Sequence, residues 1–432
     1  MKATGLALLA GILLALAFPP LSLWPLAWVA PGLLYTLSST RRSATLAGYL
    51  FGVALFLLGA EWVRVLAVPL WLLLPLFPGA LFALYGLVNG LSLPRCLPAL
   101  RPLVFALLWA LFEWLRGLGT YAVPWFTLAS AHAAPSAIPL ATSVTWLGAP
   151  CLGFLIAFTS ATLAEGALQR RGRFALVLLI PIALALIPRP TPHRQRFLHL
   201  ALIQAGRADS NAYETYLALS RKAARSHPDL IVWPEGAATE LGTTRLCALA
   251  RELGIPLLVG LYEDGPDQRP TNLALLIDGE GRELGRYAKR RLAPFGEVYP
   301  FQRWIPGVYA AFGIHHESFR HGTAPGVFTL PSGQRIGVGI CFESAFPWVA
   351  SQSTKAGAQL LLFLTSDQSF GQSAELAQHR DQAILRAMEN QRPVAQVATT
   401  GLTTLIRSDG KVVAALAPGT PGILSVRAIL PE

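Results

Sequence analysis

Three polar residues of types that suit acyl-transfer chemistry stand where apolar runs end. They are Glu235 in "DLIVWPEGA", Lys289 in "GRYAKRRLAPFGEVYP" and Cys341 in "RIGVGICFESAF". A thiol of ordinary pKa ~8.5 is mostly protonated at neutral pH and gains from a nearby base and a nearby positive charge. Glu235 can supply the base. Lys289 can favour the thiolate and then stabilise the oxyanion that forms when a carbonyl is attacked. Together they make a complete Glu, Lys and Cys set for covalent acyl transfer. Taken singly, each also suits a duller role: a helix-start glutamate, a surface lysine, a structural cysteine.

The elements that must position these residues are readable around them. From residue 193 onward the pattern alternates strands and helices, as in a layered α/β domain. "FLHLALIQA" reads as a strand, "SNAYETYLALSRKAARS" as an amphipathic helix, and "DLIVW" as a short buried strand running into Glu235. A helix near 243–253 and the strand "PLLVGLYE" follow. The hairpin "NLALLIDGEGRELGRYAK" turns at Gly279 to Gly281, and "GVFTLPSGQRIGVGICFE" turns at Ser332 and Gly333. A helix near Ser344, the strand "QLLLFLTS", a helix over 374–391 and the hairpin "TTLIRSDGKVVAAL" complete the reading. Strand ends are rigid places on which α/β folds assemble sites, because the loops that follow are free to vary.

The first half of the chain is different. Over all 432 residues, 53% are hydrophobic and only 14% charged, with a mean hydropathy of +0.47, and the apolar excess lies in residues 1 to about 188. About seven spans are predicted, near 5–18, 21–38, 44–60, 67–91, 102–116, 145–166 and 174–188. The first, preceded by Lys2, has the look of a signal peptide, yet no small-residue cleavage site follows "LAFPPLSLWPL". Lys2, Arg41 with Arg42, Arg95 with Arg101, and Arg170, Arg171 and Arg173 mark every second connection. The positive-inside rule makes those connections cytoplasmic, and an odd number of spans then delivers the polar half to the outer side. Expected domains are therefore 1–190 in the membrane and 191–432 outside it. Much of the net charge of +11 lies in these connections and in "PRPTPHRQRF". Contact with an anionic membrane accounts for that better than nucleic-acid binding, since no nucleic-acid motif accompanies it.

Cysteine usage suggests neither a disulfide framework nor a metal site. Cys96 and Cys151 lie in the membrane half, and Cys247 and Cys341 are far apart, although a bridge between the latter two is conceivable outside the cytoplasm. Within the spans, Glu61 and Arg64 flank an outer end and Glu113 and Arg116 lie one turn apart. Such groups pair internally or face a polar cavity.

"DLIVWPEGA", "GRYAKRRLAPFGEVYP" and "VGICFES", in this order and about fifty residues apart, resemble the nitrilase (carbon-nitrogen hydrolase) superfamily. Their pairing with preceding spans, and the wording "KRRLAPFGEVYP", resemble its membrane branch, the apolipoprotein N-acyltransferases, over nearly the whole chain. The resemblance implies an αββα sandwich on the periplasmic face of the bacterial inner membrane, with Glu235 as general base, Lys289 as oxyanion stabiliser and Cys341 as nucleophile. It also implies ping-pong transfer of a fatty acyl chain from a phospholipid, through a thioester, to the α-amino group of a diacylglyceryl-cysteine apolipoprotein. Neither half-reaction requires metal or other cofactor. Glu297 of "PFGE" and Glu343 match family positions and are expected to support the triad. "RWIPGVYAAFGIHHESFRHG", with Trp304, Tyr309, Phe312 and Phe319, is a candidate lid at the lipid interface.

Rival readings are a Cys-His mechanism using His315, His316, His321 or His379, none of which sits at a clear strand end, and a membrane-tethered amidase cleaving a small C–N bond. A fold that has lost activity is a third, disfavoured by the intact triad. His132 reads as a loop or interface residue. The chain also departs from the family pattern. "AGRADSNAYETY" replaces an Asn-Ile and a downstream Lys-Trp after "LIQ", Ser369 stands where an aromatic is usual, and "GILSVRAILPE" offers no apolar run for a final span.

Overall fold

A computed structural model describes residues 2–134, 141, 143–187, 196–207, 212–311 and 317–431. The chain divides into two compact units. The first comprises Met1–Leu118, Val123–Pro190 and Ser373–Asp381, and the second Gly119–Ala122, Thr191–Gln372 and Gln382–Glu432.

The first unit is helical: α1 (Lys2–Leu16), α2 (Ala30–Thr36), α3 (Arg41–Gly59), α4 (Val68–Leu73), α5 (Leu76–Ser92), α6 (Arg101–Arg116), α7 (Ser143–Leu168) and α8 (Leu179–Ala185). Among the described residues, four helical stretches are long and apolar enough to cross a membrane: Arg41–Gly59, Val68–Arg95, Pro98–Arg116 and Gly148–Leu168. The expected span 5–18 is the continuous 15-residue α1, and the two that remain take a broken form. Residues 21–38 split into a 3-10 turn, Trp24–Trp28, and the seven-residue α2, each with a proline in its first turn. Proline starts a helix well but gives the preceding turn no backbone donor, so one continuous span is not formed there. Residues 174–188 likewise become a 3-10 stretch, Gly172–Leu178, and α8.

Helices α3 and α5 pack through small residues, as apolar helices do when close backbone approach replaces a hydrophobic driving force. A Cβ on Gly86 would lie 2.1 Å from the Ala44 carbonyl oxygen. Phe51, Phe82, Tyr85, Phe105 and Trp109 fill the interior with edge-on and tilted ring contacts. Glu61 and Arg64 form an exposed ion pair. Glu113 and Arg116 are both buried but turn to other partners. Glu113 Oε1 accepts from Trp109 Nε1 at 2.9 Å and Leu128 N at 2.8 Å. Arg116 donates to the Val123 and Trp125 carbonyls and lies against the Phe56, Phe82 and Phe112 rings. His132, fully buried, accepts from Trp28 Nε1 at 2.6 Å.

The second unit contains β1 (Arg196–Gln204), α9 (Ala212–Ala224), β2 (Leu230–Val232), α10 (Gly242–Leu253), β3 (Leu257–Asp264), β4 (Pro270–Ile277), β5 (Glu283–Ala288) and α11 (Pro306–Ala311). It continues with β6 (Gly326–Thr329), β7 (Arg335–Ile340), α12 (Pro347–Lys355), β8 (Leu360–Thr365), α13 (Glu375–Asn390), β9 (Val394–Ala398), β10 (Thr404–Ile406), β11 (Val412–Ala415) and β12 (Gly422–Leu430). Helix α13 begins in the first unit and ends in the second.

Two six-stranded sheets result, ordered β12-β1-β2-β3-β4-β5 and β11-β10-β9-β8-β7-β6. The central strands β1, β2 and β3, and β7, β8 and β9, run parallel, with antiparallel strands outside them. Their apolar faces meet: Leu200, Val232, Leu258 and Leu276 of one sheet share a core with Ile336, Val338, Leu362 and Val397 of the other. The opposite face of the first sheet is covered by α9 and α10, with Tyr216, Ala223, Leu246 and Leu249 against Ile203, Ile231 and Val259. This is the two-sheet α/β arrangement that the resemblance implied. The sequence GILSVRAIL is β12, paired along its length with β1.

Candidate active site

Strand β2 ends at Val232, and Trp233 and Pro234 carry the chain into Glu235. Trp233 is fully buried, stacks on Tyr216 with ring centroids 5.0 Å apart, and donates from Nε1 to Ser220 Oγ at 2.8 Å. This fixes the exit of the strand. Gly260 on the adjacent β3 makes room, since a Cβ there would lie 2.4 Å from the Pro234 carbonyl oxygen and 2.6 Å from Glu235 Cα. Only glycine permits that approach.

Lys289 follows β5 and is held in register by its backbone N–H, which donates to Asn272 O at 2.9 Å. Its side chain is 1% exposed, and Nζ donates to Glu235 Oε1 at 3.1 Å and to Glu297 at 2.9 Å. Asn272, buried in β4, donates from Nδ2 to both carboxylates, at 2.6 Å to Glu235 Oε1 and 2.7 Å to Glu297 Oε1. The remaining oxygens are also met: Ala293 N donates to Glu297 Oε2 at 2.8 Å, and Ser366 N to Glu235 Oε2 at 3.1 Å. Two buried carboxylates around one buried ammonium are tolerable only with such full hydrogen bonding. Asn272 is a member of the site that sequence reasoning passed over.

Cys341 follows β7 at φ +52, opening a 3-10 turn over Cys341–Ala345. A side-chain-bearing residue held at positive φ needs surroundings that compel it. Glu343 supplies them. Fully buried, it accepts from Ile340 N at 2.8 Å, from the Tyr287 hydroxyl at 2.8 Å, and from Arg290 N and Arg291 N at 2.9 and 3.0 Å. One carboxylate thus ties the residue before the thiol to the two residues after Lys289.

The electrostatics follow from this packing. Burial pushes the Cys341 thiol well above its ordinary pKa; the Glu235 carboxylate adds to the rise and Lys289 opposes it. Burial alone would lower the Lys289 pKa, yet Glu235 and Glu297 together hold it well above its usual value. Burial raises the Glu343 carboxyl, with its backbone and Tyr287 hydrogen bonds working against the rise. The resting pair is therefore a neutral thiol beside a fixed ammonium. Moving the thiol proton to a carboxylate leaves the charge of the cluster unchanged, so thiolate can form during attack without bringing a new net charge into the interior.

The structure brings together Glu235, Lys289, Glu297 and, electrostatically, Cys341, with Glu343 bracing the turn. The candidate lid residues behave differently from one another. Trp304 is 80% exposed and stacks on exposed Phe301. Tyr309 is buried, donates to Pro300 O at 2.8 Å and packs near Tyr299, so it braces the loop from inside. Phe312 lies outside the described residues, as do His315 and His316. Phe319 lies edge-on to Tyr262. His321 is exposed, and His379 belongs to the first unit, close to Glu375 and Trp125. Among the described residues no disulfide joins Cys247 to Cys341.

The family described as the apolipoprotein N-acyltransferase N-terminal domain matches residues 10–162, and the carbon-nitrogen hydrolase family matches residues 199–429. A Geobacter metallireducens apolipoprotein N-acyltransferase is 30% identical, aligning 94% of this chain with 85% of its own. The Vibrio cholerae protein of the same name is 29% identical, with coverage of 96% and 88%. Similar solved structures include the C. elegans NitFhit protein (23% identity, TM-score 0.45, 54% of this chain and 60% of that one). Another is an amidase from Nesterenkonia sp. (20% identity, TM-score 0.41, 56% and 93%). On the sequence matches over both halves, the chain belongs to the apolipoprotein N-acyltransferase family, the membrane branch of the carbon-nitrogen hydrolase superfamily.

Proposed function

We propose that this acyltransferase takes a fatty acyl chain from a phospholipid onto Cys341 Sγ and passes it to the α-amino group of an N-terminal diacylglyceryl-cysteine. Glu235 accepts the thiol proton as Sγ attacks the ester carbonyl, and Lys289 stabilises the oxyanion that forms. As the tetrahedral intermediate collapses, Glu235 returns the proton to the departing lysophospholipid oxygen, leaving the thioester. The lipoprotein amine then attacks the thioester carbonyl. Glu235 takes the ammonium proton, and Sγ leaves, to be reprotonated. Asn272 and Glu297 hold Lys289 and Glu235 in place, and Glu343 positions the nucleophile's turn.

The observation that carries this reading is the buried Glu235–Lys289–Glu297–Asn272 hydrogen-bonded cluster acting electrostatically on a half-buried thiol at positive φ. The span-length apolar helices suit substrates that carry long acyl chains. In the same reading, residues 1–190 cross the inner membrane about seven times, residues 191–432 face the periplasm, and the Trp304 loop meets the interface. Incubation with phospholipid and a synthetic diacylglyceryl-cysteine peptide tests it. Equimolar N-acyl peptide and lysophospholipid are expected. Release of free fatty acid with no acylated peptide would contradict it.

A further inference from the structure

The first unit holds a second polar site. A cleft of ≈ 190 Å³ is lined by Tyr35, Ser38, Ser39, Leu93, Arg101 and Glu165, among others. By liquid volume this is room for about six waters at ~30 Å³ each, a space suited to a small headgroup. It lies where α2, α5 and α7 end and α6 begins, beside the connections that carry Arg41, Arg42, Arg95, Arg170 and Arg171.

Its chemistry is two-signed. Glu165 is 4% exposed and accepts only from neutral donors, the Tyr35 hydroxyl at 2.7 Å and Gln169 Nε2 at 2.5 Å. Arg101 spends its Nε on the Leu93 and Cys96 carbonyls at 3.1 and 3.3 Å. Its terminal nitrogens have no hydrogen-bond partner among the described residues. The two charges line one cleft without pairing with each other. A buried carboxylate lacking a cation is costly, and a guanidinium with unused donors is suited to a phosphate.

We infer that this cleft binds the zwitterionic headgroup of an aminophospholipid, its ammonium on Glu165 and its phosphate on Arg101, with Ser38 and Ser39 hydroxyls nearby. A lipid is favoured over a free aminophosphate because the cleft lies at the ends of span-length helices, and Leu168 on its rim is 61% exposed. The inference rests on the reading that these helices cross a bilayer. It is independent of the chemistry at Cys341.

The test is native mass spectrometry of the delipidated full-length protein titrated with dihexanoyl-phosphatidylethanolamine, dihexanoyl-phosphatidylglycerol, O-phosphoethanolamine or inorganic phosphate. Arg101→Gln should weaken both lipids about tenfold, and Glu165→Gln the ethanolamine lipid alone by a similar factor, the scale of one charged hydrogen bond. Ser39→Trp, which fills the cleft from an exposed position, should remove one bound-lipid equivalent, the one that Arg101→Gln weakens, with melting temperature unchanged, and decides the matter if either charge variant misfolds. An unchanged lipid preference in Glu165→Gln, or undiminished binding in Ser39→Trp, would overturn the proposal. Tighter binding of O-phosphoethanolamine or phosphate than of the lipids would overturn the lipid assignment. Thioester formation at Cys341 should persist in all three variants, so failure here is distinguishable from failure of the acyltransfer reading.

Discussion

Replacing Lys289 by Met removes the one ammonium between two buried carboxylates, at 3.1 Å from Glu235 and 2.9 Å from Glu297. Breaking a buried ion pair from one side costs about 3–5 kcal/mol, because the partner charge is stranded. At roughly 2–4 °C per kcal/mol for a domain of this size, the melting temperature should fall by roughly 6–20 °C. Acyl transfer should fall by about 10²–10³, the scale of losing one transition-state charge stabiliser. The two losses can be separated. In Lys289→Met with Glu297→Gln, one stranded carboxylate is neutralised, so much of the stability should return while thioester formation stays at the Lys289→Met level. Thermal unfolding by circular dichroism and single-turnover acylation followed by intact mass would measure both. Lys289→Met acylating within tenfold of wild type, or a double variant that regains activity along with stability, would refute the assignment of Lys289 to the oxyanion.

Glu235→Gln keeps the shape of the cluster but removes the base, and should slow thioester formation by about 10²–10⁴ with little change in lipid binding; steady-state kcat and KM would separate the two effects. Because the Cys341 pKa is raised by burial, the protonated thiol persists past the ordinary value of about 8.5. Its alkylation by iodoacetamide should therefore keep climbing above that pH, whereas a plateau below it would contradict the electrostatics. Glu343→Gln cannot satisfy four donors that now meet a carboxylate. Acylation should drop at least tenfold by loss of the turn geometry, with Glu343→Asp recovering part of it. Trp304→Ser should raise KM for long-chain phospholipid several-fold and leave Cys341 alkylation unchanged if the exposed ring meets the lipid interface.

The places of Glu235, Lys289 and Cys341 were legible because each follows an apolar strand run, and the chain does reach them just after β2, β5 and β7. Asn272 was not legible. It stands within "TNLALLI", a run whose apolar character announces a strand, and only the spatial convergence of Glu235 and Glu297 gives its amide a purpose. The one available signal was a lone amide in that run. Strand β12 escaped notice for a different reason: its partner β1 lies over two hundred residues away, and local pattern says nothing about such pairing. Hydropathy located the apolar half but overestimated the continuity of its helices. It weighs Pro25 and Pro31 as ordinary residues, although they help divide residues 21–38 into two short pieces. The exposure of Trp304 beside the burial of Tyr309, in one aromatic-rich segment, was also beyond a composition argument.

The most direct test of the central claim is intact-protein mass spectrometry of the purified chain after incubation with phospholipid, wild type beside Cys341→Ala. The account predicts a fatty-acyl mass on wild type alone, removed by hydroxylamine as a thioester must be. No adduct on well-folded wild type, or the same adduct on Cys341→Ala, would contradict it.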